Sequence, residues 1–174
     1  MTAAYDDLNN TQNVGTGSSV SAAWFDKARD NLEHYATGPG AHALSNATTN
    51  VSSGTVTAVA FAAADLFDTD GYHSTSSNNT RITVPSGLGG RYLCVGYVAL
   101  SANASGSRQA HFRVNGSAVR RCVSQANAAS QPWETTLTSS ILLSVGDYVE
   151  LIVFQDSGST LTVSGSMSME WTGR

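Results

Sequence analysis

The sequence predicts an all-β jelly-roll sandwich preceded by an extended arm and one short amphipathic helix. Three observations carry this. From residue 55 onward, runs of strand length follow one another, separated by turn residues. Two of these runs, residues 91–100 and 148–155, are apolar on both faces. Side chains alternate across a strand, so both faces of such a strand need cover. With no crossover helix in reach, the second face is expected to meet another sheet or another subunit. The third observation is composition. Charged residues make up 13% and hydrophobic residues 41%, with Ser, Thr, Asn, Gly and Ala filling the rest, which suits a polar, uncharged β surface.

Taken in order, residues 1–18 read as a polar arm. Residues 21–36 read as the one helix, with Ser21 as N-cap and Gly38-Pro39-Gly40 as the stop. Phe25, Ala28, Leu32 and Tyr35 recur at steps of three and four and form one apolar stripe, with Trp24 beside it. A helix this short does not stand alone in water. It must dock on the body, on copies of itself or on another surface, and its stripe has the spacing of a short coiled-coil seam. Residues 41–54 read as a linker, which divides the chain into an N-terminal unit, 1–51, and a sandwich, 52–174.

Within the sandwich, strands are expected at residues 55–61, 80–84 and 91–100, with a long loop over 65–79. Residues 109–114 alternate, with Ala110, Phe112 and Val114 inward, and Asn115-Gly116 is a hairpin turn. A strand at 119–123, a loop over 124–134, and strands at 135–143, 148–155 and 160–171 follow. The last alternates throughout, Leu161, Val163, Met167, Met169 and Trp171 facing one way. In the strand at 148–155, Val149, Leu151 and Val153 suit the core, while Tyr148, Ile152 and Phe154 lie opposite.

Charge and leader signals exclude several functions. The net charge is −4 and the one adjacent basic pair is Arg120-Arg121, so no nucleic-acid footprint is expected. Residues 1–7 lack both the basic start and the apolar run of a secretory leader. No apolar run is long enough to span a bilayer. Synthesis in a cytosol is the expectation. Cys94 and Cys122 lack metal-type spacing and are expected as packed thiols.

The motifs resemble a known family. Asp68-Thr-Asp-Gly-Tyr72, Arg81-Ile-Thr-Val-Pro85, Gly90-Arg-Tyr92, Leu143-Ser-Val-Gly-Asp-Tyr-Val-Glu-Leu151 and Met169-Glu-Trp-Thr-Gly173 resemble the tumour necrosis factor-like jelly roll in its complement globular-head version, over about residues 55–173. The chain departs from that pattern in lacking a collagen-like stalk and in carrying Trp171 where Phe is usual. The resemblance implies a compact trimer built around the two-faced strands, with Tyr92, Tyr97, Tyr148, Ile152 and Phe154 expected at the subunit contacts. Residues 22–32, Ala-x-Trp followed by Arg-Asp-Asn-Leu, resemble the helical lead-in of head and tail accessory proteins of tailed bacteriophages. The expectation is therefore a phage virion protein, assembled in the host cytoplasm, whose partners are itself and the capsid or tail. Trp24, Phe25, Leu32 and Tyr35 are expected to anchor it.

Chemistry is sparse. Asp68 and Asp70 with Gly71 resemble a fragment of a calcium loop, but the third acid and the downstream Glu are missing. His34, His42, His73 and His111 fall on unrelated elements, and no nucleophile elbow or paired carboxylates occur. No catalytic residue, metal or cofactor is expected. Tyr72 and Trp133 are the residues expected to form a ligand patch if the chain is instead an adhesin for a host glycan or protein.

Overall fold

The structure is a computed structural model and describes residues 22–45 and 49–173, apart from the side chains of residues 120–122 and 128–129. The predicted arm over residues 1–18 and the side chain of Cys122 lie outside what is described. One helix, α1 (Ala22–Thr37), precedes eleven described strands. They are β1 (Gly40–Leu44), β2 (Thr49–Val51), β3 (Thr57–Ala58), β4 (Phe67–Asp68), β5 (Arg81–Thr83), β6 (Gly90–Leu100), β7 (Asn103–Val114), β8 (Ser117–Ala129), β9 (Trp133–Leu143), β10 (Tyr148–Gln155) and β11 (Leu161–Gly173).

They form two antiparallel sheets. The six-stranded sheet runs β4-β1-β11-β6-β9, with β2 also paired to β11. The five-stranded sheet runs β3-β10-β7-β8, with β5 also paired to β10. The two pack face to face as a jelly-roll sandwich, each strand sending alternate side chains into the shared core. From β6 these are Tyr92, Cys94, Val98 and Leu100; from β11, Leu161, Val163, Met167 and Met169; from β10, Val149, Leu151 and Val153; from β7, Ala110 and Phe112. Gly96, in the inward series of β6, leaves the space that Phe112 and Leu151 fill. A methyl group there would lie 3.0 Å from each. The β7–β8 hairpin turns at Asn115 and Gly116, both at positive φ, as the sequence predicts.

The domain division needs correction. Residues 40–44 and 49–51 are not linker. β1 pairs with β11 from Gly40↔Glu170 to Leu44↔Ser166, and β2 extends the same edge through Leu161↔Val51. Ala41, Ala43 and Val51 are fully buried. The sandwich therefore begins at Gly40. Small residues hid β1: alanines that face a core carry little of the apolar signal that marks a strand. β8 and β9 also run into the expected loop over 124–134, because β8 follows the register of β7 through Gln109↔Gln125 and Asn103↔Ala129.

Candidate functional site

The side of the six-stranded sheet that faces away from the core is the candidate site. Registry assembles it row by row. Leu93 lies between Glu170 and Ser140, Val95 between Ser168 and Thr138, and Tyr97 between Ser166 and Thr136. β1 adds His42 beside Ser168 and Leu44 beside Ser166. The centre of this surface carries no formal charge at neutral His. Arg91 and Glu170 stand at one end of it and Glu134, opposite Ala99, at the other. Leu93 and Tyr97 are 37% and 38% exposed, and Leu142 on the outer edge strand is 78% exposed. Partial burial raises the Tyr97 phenol above its ordinary pKa, helped by its hydrogen bond to Glu134. A sheet face that is uncharged at its centre, apolar in its middle row and bordered by charge has the anatomy of a protein interface.

The opposite side of the molecule is built differently. Three of the outward residues of β10, Tyr148, Glu150 and Ile152, meet neighbours on their own sheet. The Arg81 guanidinium sits 4.6 Å from the Tyr148 ring centroid, and Thr80 donates to Glu150 at 3.2 Å. Ile152, paired with His111 and Ala58, is buried, and so is His111. Burial, and then the charge of Arg113, lower the pKa of that His111.

The five residues expected at a subunit contact are thus not brought together. Tyr92 lies in the core with no exposure, and Ile152 is buried within the chain. Tyr148 and Phe154 are half-buried on the outer side of the five-stranded sheet. Only Tyr97 stands on the open face. β6 is two-faced as predicted, but Tyr92 belongs to the side that the second sheet covers. Its hydroxyl donates to the Leu88 carbonyl at 2.5 Å and lies 3.2 Å from the Tyr72 hydroxyl. Burial pushes the Tyr92 phenol up to about 12 and holds that of Tyr72 higher still. Leu93, Val95 and Leu142 are the open-face residues that sequence reasoning passed over. The signal for the first two lies in the alternation of β6.

The ligand-patch expectation is corrected as well. Tyr72 is buried against Tyr92, with ring centroids 6.1 Å apart. Trp133 packs at the core margin and pairs with Leu100, at the other end of β6. The two aromatics therefore sit at opposite ends of the sandwich.

Asp68 and Asp70 are engaged within their own turn. Asp68 Oδ1 accepts the backbone N–H groups of Gly71 and Tyr72, each at 2.9 Å, and Oδ2 accepts that of His73 at 3.1 Å. The carboxylate is a turn cap. Asp70 accepts the Thr69 hydroxyl at 2.6 Å. Among the described residues, no group of three or more His, Cys, Asp or Glu side chains is placed to hold a metal. Helix α1 exposes Phe25, Leu32 and Tyr35, with Trp24 edge-on to Phe25 at 5.5 Å. Among the described residues, no helix is long and apolar enough to cross a membrane.

Comparison with solved structures matches this architecture. The globular domain of zebrafish complement 1qA superposes with a TM-score of 0.59 at 14% identity, covering 78% of this chain and 98% of that one. The fold is that of the complement and tumour necrosis factor-like jelly roll. PRD1 vertex protein P5 shares it at TM-score 0.56 and 14% identity, over 75% of this chain and 95% of that one. Murine APRIL shares it at 0.52 and 14%, over 75% and 98%. No protein-family profile matches the sequence. An uncharacterized protein, L688, of Acanthamoeba polyphaga mimivirus is 31% identical over 121 residues, 67% of this chain. The chain spans about half the length of that relative.

Proposed function

We propose that the chain is a structural protein of a virus particle, a homotrimer whose jelly rolls meet through the open face of the six-stranded sheet and whose N-terminal segment attaches it to capsid or tail. The observation that carries the reading is that face: uncharged at its centre, with Leu93, Tyr97 and Leu142 left exposed by the single chain. Two comparisons support the setting. One jelly-roll neighbour is a vertex protein, and the sequence relative comes from a virus. The lead-in motif of α1 supports a tailed-phage particle in particular. His73 Nδ1, 2.8 Å from Asp65 Oδ1, ties the loop over residues 65–79 together. The adhesin reading has lost the aromatic pair on which it rested.

The test is particle association. An antibody raised against the purified chain should label purified virions at regular positions. Labelling confined to the unassembled fraction of an infected-cell lysate refutes a virion role.

A further inference from the structure

Helix α1 presents to solvent the residues that a docked helix would bury. Phe25 is 60% exposed, Leu32 69% and Tyr35 47%, whereas the polar Asn31 and His34 are buried. The sandwich meets the helix at its C-terminal end. The Tyr35 ring lies 4.9 Å from that of Trp171, and His34 Nε2 is 3.9 Å from Asp70 Oδ2. The Trp171 backbone N–H donates to the Pro39 carbonyl just beyond.

The exposed stripe has a specific period. Phe25, Ala28, Leu32 and Tyr35 follow at steps of three, four and three, the a and d positions of two heptads. That spacing keeps an apolar seam aimed at a partner helix. The remaining residues obey the same frame. Asp26, Lys27, Asp30 and Glu33 fall at b, c and f, away from the seam. The seam's flanks hold Trp24, Arg29, Asn31 and Ala36. Arg29, the one charge among them, is paired within its own helix, to Asp26 at 3.0 Å and Asp30 at 3.3 Å. Copies can therefore approach along this seam without like charges meeting.

We infer that the stripe is the seam of a parallel three-helix coiled coil formed with α1 of two other copies. This rests on the trimer proposed above. Copies related by a rotation axis send their helices out of the same end of each sandwich, which makes the bundle parallel. Two heptads are too short to associate unaided. Tethering to trimerised sandwiches supplies the effective concentration that they need. Phe25, Leu32 and Tyr35 then serve self-association, and attachment to the particle falls to residues outside the stripe.

The test uses the full chain with two substitutions. In a parallel seam, identical a positions meet at the axis. Leu32→Cys should therefore give disulfide-linked dimers under mild oxidation, above the background of the wild-type thiols, while Glu33→Cys on the outer side should not. Leu32→Asp should raise the trimer dissociation constant at least tenfold. Leu32 is largely exposed, so neither change touches the core. No cross-linking from Leu32→Cys, with Leu32→Asp leaving dissociation unchanged, overturns the inference. If Leu32→Asp then also abolishes particle binding, the stripe is an anchor. A monomeric wild-type chain would instead overturn the trimer itself, which is a separable result.

Discussion

Replacing Leu93 and Tyr97 together by serine should dissociate the assembly while leaving each sandwich folded. Both side chains leave β6 on the open face, with 37% and 38% of their surface still uncovered in the single chain. Burying a large apolar side chain completely contributes about 1.5–3 kcal/mol. The fraction left for a partner to cover therefore contributes about 0.5–1 kcal/mol per residue. Two residues in each of three copies amount to about 3–6 kcal/mol, roughly two to four decades in the trimer dissociation constant. Loss of the Tyr97–Glu134 hydrogen bond adds to this if a partner covers it. Sedimentation velocity over a dilution series reads the constant directly. Thermal unfolding of the dissociated variant reads the integrity of the fold. The double variant associating as tightly as wild type would refute the assignment of this face. A variant that no longer folds would show that the two side chains serve the chain's own core.

Three further outcomes follow from the geometry. A chain beginning at residue 38 should fold, and one beginning at residue 52 should not, because the latter lacks β1 and β2 with the buried Ala41, Ala43 and Val51; circular dichroism and a cooperative melt distinguish them. Asp68→Ala should cost about 1–3 kcal/mol in a urea titration, since three backbone N–H groups lose their acceptor, and calcium should leave the wild-type melting temperature unchanged; a rise with calcium would restore the metal reading. Stability should fall as pH climbs above about 10, where unfolded tyrosine ionises, because burial holds both phenols of the Tyr72–Tyr92 pair above that value, Tyr92 at about 12. The folded state then retains protons that the unfolded state releases, and Tyr72→Phe should flatten the decline in an alkaline unfolding series.

The fold was legible where the alternation was strong. β11 shows why: Leu161, Val163, Met167, Met169 and Trp171 are all buried, in the order that the period of two dictates. The turn at Asn115-Gly116 was equally plain, because few other pairs adopt two successive positive φ values. β1 was illegible because its inward residues are alanines, and its strand character comes from pairing with β11, more than a hundred residues away. The site was half legible. The two-faced character of β6 was visible, but which face the second sheet takes depends on packing. Gly96 decides it in part, since Phe112 and Leu151 fill the space that its missing side chain leaves. Tyr92, expected at a subunit contact, and Tyr72, expected in a ligand patch, both lie buried in the sandwich. Here each hydroxyl finds the other, and Tyr92 also reaches the Leu88 carbonyl.

The most direct test of the account is the native mass of the full chain, measured by mass spectrometry or light scattering at micromolar concentration. The account predicts three times the chain mass of 18.1 kDa, held on dilution and lowered by the Leu93 and Tyr97 substitutions. A single-chain mass at that concentration would contradict it, and would leave the open face of the six-stranded sheet to some other partner.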